Sequence, residues 1–306
     1  MELIRGLHNL KNLSGCVLTI GNFDGVHAGH QEILKKLVQK SKERGLPSLV
    51  ISFSVTPETF FGRPKARINN FRDKHLLLES LGVDKHLLIR FSQSFSELSA
   101  TDFVNKILLK KIGMRHCFIG DDFRFGSGRE GDFSMLKKMS KEKNFDIEKI
   151  NAVSINGRRV SSSEIRKLLT EGDFKTAEVF LGRPFSISGK VANGDKMGRT
   201  IGFPTANLVL PPDRSWPADG VYAGIFTRTD GSDHMCAINV GRRPTFYEHA
   251  DTSLLEAHLL DFDDDLYGEI CGVSFLHFLR SEKRFDGVDS LVEQLNDDVA
   301  KTRSLL

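Results

Sequence analysis

Two histidines three residues apart, His27 and His30, close a stretch near the amino terminus whose residue types could handle an anion. The run Cys16-Val17-Leu18-Thr19-Ile20 is apolar and β-branched and reads as a buried strand of a parallel sheet. Gly21 ends it, Asp24-Gly25 marks a turn, and Ile33, Leu34, Leu37 and Val38 then keep a helical period. Strand, glycine turn and helix start together make an anion site, because the first amides of the helix have no partner and its dipole is positive there. Two imidazoles in one turn share a face, and Gly29 between them removes a side chain that would block close approach. Beside a phosphate they could donate hydrogen bonds to the charge that builds up in phosphoryl or nucleotidyl transfer, so that positioning supplies the catalysis. Taken alone, the same pair also reads as an ordinary helix start with two surface histidines.

A second candidate lies far downstream. Residues 254–260 alternate, with Leu255, Ala257 and Leu259 on one face and Glu256 and His258 on the other. An acid in mid-strand is costly if buried without a partner, so Glu256 is expected to face an open site. His258 reads as a packing or orienting residue.

The elements that would position these residues fall into two kinds. In the first half, strands are expected at 49–53, 86–91 and 116–119 and helices at 71–81 and 100–109, with Gly82 and Gly120 as stops. Strands alternating with helices imply a parallel sheet covered on both faces, with ligands beyond the carboxyl ends of the strands, where Gly21 and Gly120 both fall. A further helix opens at Val160-Ser161-Ser162-Ser163-Glu164, where Ser161 and Glu164 satisfy a capping box, and a short one at 171–182 precedes Arg183-Pro184. Beyond it helical periodicity disappears, and short runs at 186–191, 222–227, 237–240, 253–260 and 272–279 indicate an antiparallel barrel or sandwich, closed by a helix at 288–299. The fold class expected is therefore α/β, a Rossmann-like domain followed by a β-barrel, with the boundary between 1–183 and 184–306.

Composition agrees with two domains. The 306 residues are 40% hydrophobic and 27% charged, enough to bury two cores, and no stretch approaches the roughly 20 apolar residues of a membrane span. The start, MELIRGLHNL, has a glutamate and no apolar core, so no signal peptide is expected. Residues 1–183 carry 31 Lys and Arg against 21 Asp and Glu, while 184–306 carry 12 against 19. The basic charges of the first half are spread singly, as at Lys35, Lys36, Lys40 and Lys42, without basic-aromatic clusters, so small polyphosphates are expected as partners and nucleic acid is not. Cys16, Cys117, Cys236 and Cys271 show no C-x-x-C spacing and sit in apolar contexts, which suits buried thiols and a cytoplasmic location.

Three familiar motifs fail on inspection. Gly126, Gly128 and Gly131 match the dinucleotide fingerprint, but six residues, Gly120 to Phe125, intervene where the first glycine should stand directly on the strand end. Gly189-x4-Gly194 is followed by Asp195-Lys196 where a phosphate loop requires Lys-Ser/Thr. Asp261, Asp263 and Asp265 imitate the start of a calcium loop, but Leu266 replaces its glycine and Gly272 its final glutamate.

The longer match, GNFDGVHAGH, resembles the H-x-G-H signature of the nucleotidylyltransferase superfamily, and in its G-x-F-D-G-V-H-x-G-H form the bacterial bifunctional riboflavin kinase/FMN adenylyltransferases. Gly120-Asp121-Asp122-Phe123-Arg124-Phe125-Gly126 and Ser161-Ser162-Ser163-Glu164-Ile165-Arg166 are similar to two further segments of that family. GKVANGDKMGRTIGFPTAN, residues 189–207, resembles its riboflavin kinase motif, and Asn239-Val240-Gly241, Arg243-Pro244-Thr245-Phe246, Asp261-Phe262, Leu266-Tyr267-Gly268-Glu269 and Phe278-Leu279-Arg280 also agree with it. In the family a segment commonly reads F-x-P-H-P; here it is Phe53-Ser54-Val55-Thr56-Pro57, and a looser loop is expected.

The resemblance implies two activities. ATP would phosphorylate riboflavin to FMN, with Glu256 taking the proton from the 5′-hydroxyl, and a second ATP would adenylylate FMN to FAD with release of pyrophosphate. For the adenylyl step it implies Gly21, Phe23, Asp24, Gly25, His27, His30, Asp122, Ser162, Ser163 and the phosphate-holding Arg166. For the kinase step it implies Gly194, Lys196, Gly198, Arg199 and Gly202 near phosphate, Thr205 and Asn207 as hard oxygen ligands for Mg²⁺, and Arg280 near the flavin. Two rivals remain: a nucleotidylyltransferase for another phosphate ester with a flavin-regulated barrel, and a flavin sensor without turnover.

Overall fold

Six short runs pair into one sheet: β1 (Glu2–Arg5), β2 (Cys16–Ile20), β3 (Ser48–Phe53), β4 (Lys85–Ile89), β5 (Met114–Gly120) and β6 (Asp146–Ile150). The structure, a computed structural model, describes residues 1–11, 14–193, 197–210, 213–242 and 253–306. The strand order is β1-β4-β3-β2-β5-β6 and every pairing is parallel. All five residues of the central β2 are buried, as a strand covered on both faces requires. One face packs under Leu34 and Leu37 of the helix Ala28–Arg44 and Leu78 of the helix Phe71–Ser80. The other packs under Phe103, Val104, Leu108 and Leu136. The helix expected at 100–109 starts at Ala100, but it takes π-type geometry over Phe103–Lys111.

By internal contacts the chain divides into two units, one of residues 1–66 and 71–162 and one of residues 67–70 and 163–306. Two helices, Ser162–Glu171 and Phe174–Leu181, precede the barrel; the second ends at Gly182, whose φ of 70° suits a glycine cap. The barrel strands are β9 (Phe185–Ala192), β10 (Ala206–Val209), β11 (Gly220–Thr227), β12 (Asp233–Arg242), β13 (Ser253–Leu259) and β14 (Ile270–Arg280), with β7 and β8 forming a small hairpin at Ser154–Ile155 and Arg158–Arg159 in the first unit. The closed order is β10-β13-β12-β11-β14-β9, all antiparallel, which decides between barrel and sandwich. Its interior takes Leu255, Ala257 and Leu259 together with Ile238 and Val240, so the alternation read from the sequence holds. Phe174 packs edge-on to Tyr222 at 5.2 Å and stacks on Phe275 at 5.7 Å, which attaches the preceding helix pair to the barrel. The C-terminal helix runs longer than expected, over Val288–Leu305.

Candidate active sites

In the first unit the order β3-β2-β5 places the topological switch at β2. Gly21 and Gly120 leave adjacent strand ends two residues beyond the pair Thr19–Phe118. His27 is the N-cap of the helix Ala28–Arg44: its Nδ1 accepts the amide N–H of His30 at 3.3 Å. A neutral His27 therefore carries its proton on Nε2, as a donor. The two imidazoles stack at 3.7 Å and 16°. A Cβ on Gly29 would lie 3.2 Å from the His27 ring, so the stack needs that glycine. His27 is buried, and His30 Nδ1 is closed off from solvent with no hydrogen-bond partner. Burial first, then the His27 ring and the Lys74 ammonium, hold the His30 pKa well below the usual imidazole value.

The turn between strand and helix is strained. Phe23 and Val26 have φ of 48° and 42°, rare for residues with a Cβ and rarer still for a β-branched one, while Gly25 takes 83° at no cost. Phe23 is buried and its ring lies 5.1 Å from His30, so it props that imidazole from within. Ser162 Oγ donates to the Asp24 carbonyl at 2.9 Å, Gln31 Nε2 to that of Val26 at 2.9 Å, and Lys74 Nζ to that of Asn22 at 3.1 Å. Ser163 and Arg166 follow on the helix Ser162–Glu171. Asp122 is largely exposed, 3.6 Å from the Arg159 guanidinium, which Asp121 approaches to 2.9 Å.

The loop after β3 differs from expectation. Pro57–Phe60 is a helical turn capped by Thr56, whose Oγ1 accepts the Thr59 N–H at 3.3 Å, and Glu58 accepts from Asn22 Nδ2 at 3.3 Å. A capping threonine does here what a second proline would do elsewhere. Beyond β3 and β4 lies an aromatic cluster that the sequence reading missed: Phe60 sits 5.4 Å from Phe91, Phe61 5.9 Å, Phe53 5.9 Å and Phe95 5.5 Å. Phe61 is 62% exposed, an unusual cost for a phenylalanine at a strand-end crevice. Six phenylalanines within residues 53–95, five of them in the cluster, were its one sequence signal. Gly126 and Gly131 have a packing reason instead: a Cβ on either would strike Ala100, and Phe125 and Gly131 pair through their backbones.

In the second unit a cavity of about 640 Å³ lies against the outer face of the barrel, lined by strand residues and by Leu291, Leu295 and Val299 of the C-terminal helix. Strand register builds its floor. Glu256 on β13 is opposite Asn207 on β10 and Asn239 on β12; Asn239 is opposite Val221 on β11, and Val221 opposite Arg280 on β14. Partners across antiparallel strands share a face, and all five line the cavity. Glu256 thus faces an open site, as its position in the alternation requires.

The remaining residues of the kinase motif shape the rim. His258 Nδ1 donates to the Pro204 carbonyl at 2.8 Å and its ring lies 5.3 Å from Phe203. Thr205 immediately precedes β10 and lines the cavity. A Cβ on Gly198 would lie 2.2 Å from the Phe203 carbonyl oxygen, and Gly202 has φ of 88°, so both glycines are required by the turn. Arg199 is exposed on the helical turn Met197–Thr200; Gly194 and Lys196 lie outside the described residues, as do Arg243, Pro244, Thr245 and Phe246. Arg280 is committed to a partner the sequence reading missed: its Nε is 3.0 Å from both carboxylate oxygens of the buried Asp298, and Nη2 is 2.8 Å from Oδ2. Of the aspartates that imitated a calcium loop, Asp261 accepts two bonds of 2.6 Å from Arg303 and Asp265 accepts the Tyr267 amide N–H at 2.9 Å, while the intervening Asp264 pairs with Arg228.

The chain thus joins a parallel sheet with a strand–turn–helix at its switch point to a closed antiparallel barrel that presents Glu256 to a cavity on its outer face. Residues 9–164 match the model of the FAD synthetase family and residues 181–306 that of riboflavin kinase. Bifunctional riboflavin kinase/FMN adenylyltransferases from Haemophilus influenzae and Escherichia coli K12 are each 42% identical over 99% of the chain, covering 99% and 97% of their own lengths. A crystal structure named as a macrolide-efflux protein from Streptococcus pneumoniae superposes with a TM-score of 0.88 at 31% identity, covering 99% of both chains. Among the described residues no helix is long and apolar enough to cross a membrane. The chain belongs to the bifunctional riboflavin kinase/FMN adenylyltransferase family.

Proposed function

We propose that the chain converts riboflavin to FAD in two ATP-dependent steps on separate sites, residues 1–183 serving adenylyl transfer and residues 184–306 phosphoryl transfer. The observation that carries this reading is the presence in one chain of both the stacked His27–His30 turn and the row Asn207–Glu256–Asn239 in a cavity. A flavin sensor would need neither a carboxylate placed for proton removal nor paired imidazoles at an anion turn.

In the barrel, the Glu256 carboxylate accepts the proton of the riboflavin 5′-hydroxyl as that oxygen attacks the γ-phosphorus of ATP and ADP leaves. Arg280, neutralised by Asp298, acts as a fixed wall of the flavin side. Arg199 and the glycine turn lie toward phosphate, as do Gly194 and Lys196 by sequence. Thr205 and Asn207 offer neutral hard oxygens, and among the described residues no group of three or more His, Cys, Asp or Glu could hold a metal. That donor set fits Mg²⁺, which keeps its waters and leans on substrate phosphates; bound there it would neutralise phosphate charge.

In the sheet unit, an FMN phosphate oxygen attacks the α-phosphorus of ATP and pyrophosphate leaves. His27 donates from Nε2 to the charge that builds up and His30 completes the pair, while Ser162, Ser163 and Arg166 hold the nucleotide phosphates. Gly21 and Gly25 leave room for close backbone approach, and Phe23 and Asp24 shape the turn. The Phe60–Phe61–Phe91 cluster offers its faces to the isoalloxazine ring. Four buried free cysteines support a reducing, cytoplasmic setting. Purified protein given riboflavin, ATP and a magnesium salt is expected to yield FMN and then FAD by chromatography; formation of neither would overturn the reading.

A further inference from the structure

The turn that carries the stacked histidines is held in a conformation it would not keep unaided. Positive φ at Phe23 and Val26 is strained for residues with a Cβ and persists only where surrounding bonds over-determine it. Donors from three elements take the turn's carbonyls: Gln31 from the following helix on Val26, Ser162 on Asp24, and Lys74 from the helix Phe71–Ser80 on Asn22. Water could satisfy a carbonyl at a half-exposed turn, and ordering a lysine side chain costs its rotamer freedom. A lysine committed there brings something water does not, a positive charge behind an anion site.

The helix that presents Lys74 is itself locked to the sheet. His75, the next residue, has its Nδ1 3.1 Å from Nδ1 of His86, and His86 Nε2 lies 2.7 Å from Ser52 Oγ, both in the buried interior of β3 and β4. Phe71 stacks on both imidazoles at 5.9 and 5.8 Å, and Arg5 from β1 lies over the Phe71 ring at 5.4 Å. The ammonium therefore approaches the turn from an element with little freedom to follow it if the turn relaxes. Its charge is also felt at His30, where it adds to burial in keeping that imidazole neutral.

We propose that Lys74 is a positioning residue for adenylyl transfer: bonded to the Asn22 carbonyl, it clamps the 22–26 turn so that His27 and His30 meet the reacting phosphates in register. This rests on the reading that the His27 turn is where adenylyl transfer takes place. The residue acts through the turn, so its loss should lower kcat for FMN adenylylation and leave KM for FMN near its starting value.

The test compares Lys74→Met, Lys74→Gln and Lys74→Arg in the full chain, with riboflavin phosphorylation measured on the same preparations. Lys74→Met is expected to lose between roughly tenfold and a hundredfold in kcat for FAD formation from supplied FMN, the cost of a misplaced constellation. Lys74→Arg, which keeps a charged donor, should recover most of it, and phosphorylation should stay unchanged throughout. Lys74→Gln keeps a neutral donor and is expected to fall between the two; it also decides the matter if the methionine variant loses the fold of the sheet unit by circular dichroism. Lys74→Met or Lys74→Gln within twofold of the parent would overturn the proposal, as would an arginine variant no better than methionine. His27→Ala with His30→Ala is the companion control. If that pair still makes FAD, the site reading itself has failed; if it does not while Lys74→Met does, only the role of Lys74 has.

Discussion

Glu256 is the register partner of Asn207 across β13 and β10, so a carboxylate and an amide share one face of the barrel over a cavity of about 640 Å³. On the proposed reading each would have a separate task in one reaction: Glu256 as proton acceptor for the hydroxyl and Asn207 as a hard oxygen toward magnesium and the phosphates. Asn207→Ala should therefore cut riboflavin phosphorylation about a hundredfold and raise the magnesium concentration needed for half-maximal rate, with FMN adenylylation unchanged. An unaltered magnesium requirement in a magnesium titration would remove Asn207 from the metal site.

The Arg280–Asp298 pair ties the end of β14 to the C-terminal helix. Asp298 is buried and Arg280 nearly so, and removal of one partner leaves a poorly solvated charge behind. Asp298→Ala should lower the unfolding free energy of the barrel unit by about 3 kcal/mol in urea, followed through Trp216, the chain's one tryptophan. A loss below about 1 kcal/mol would mean that the pair is solvated in solution.

Acid should weaken the sheet unit before the barrel. Burial depresses the pKa values of His30, His75, His86 and His116, His86 to about 3, and all four belong to the first unit. Below about pH 6.5 the unfolded chain binds protons that the native imidazoles refuse, so stability present above that pH is lost as the pH falls, for His86 until about pH 3. The slope is at most about 1.4 kcal/mol per pH unit for each such histidine. Hydrogen exchange of β3 and β4 between pH 6 and pH 5 should show a drop in protection that His86→Asn reduces by about 1 kcal/mol. Equal slopes in parent and variant would show that His86 titrates normally.

Much of this was legible in the residues. The strand, turn and helix around His27 stand where the apolar run, the Asp-Gly pair and the helical period put them, because each is a local signal. The alternation around Glu256 identified its open face for the same reason. What escaped was short, polar or distant. β6 is an edge strand, Asp-Ile-Glu-Lys-Ile, with three of five residues exposed, and β10 is four residues long and begins within the segment that resembles the kinase motif. The partners Arg280 and Asp298 are 18 residues apart on a strand and a helix, and the Lys74–Asn22 bond joins residues 52 apart. The phenylalanines beyond β3 and β4 converge only because those strands are neighbours in a parallel sheet. Contacts made by topology leave no periodic trace in a sequence.

The central claim is that the two reactions use separate sites, and one substitution tests it most directly. Glu256→Gln should form no FMN from riboflavin, yet convert supplied FMN to FAD at the parent's rate, both measured by chromatography on one preparation. FMN formed from riboflavin at an undiminished rate, or loss of both conversions in a folded protein, would contradict the account.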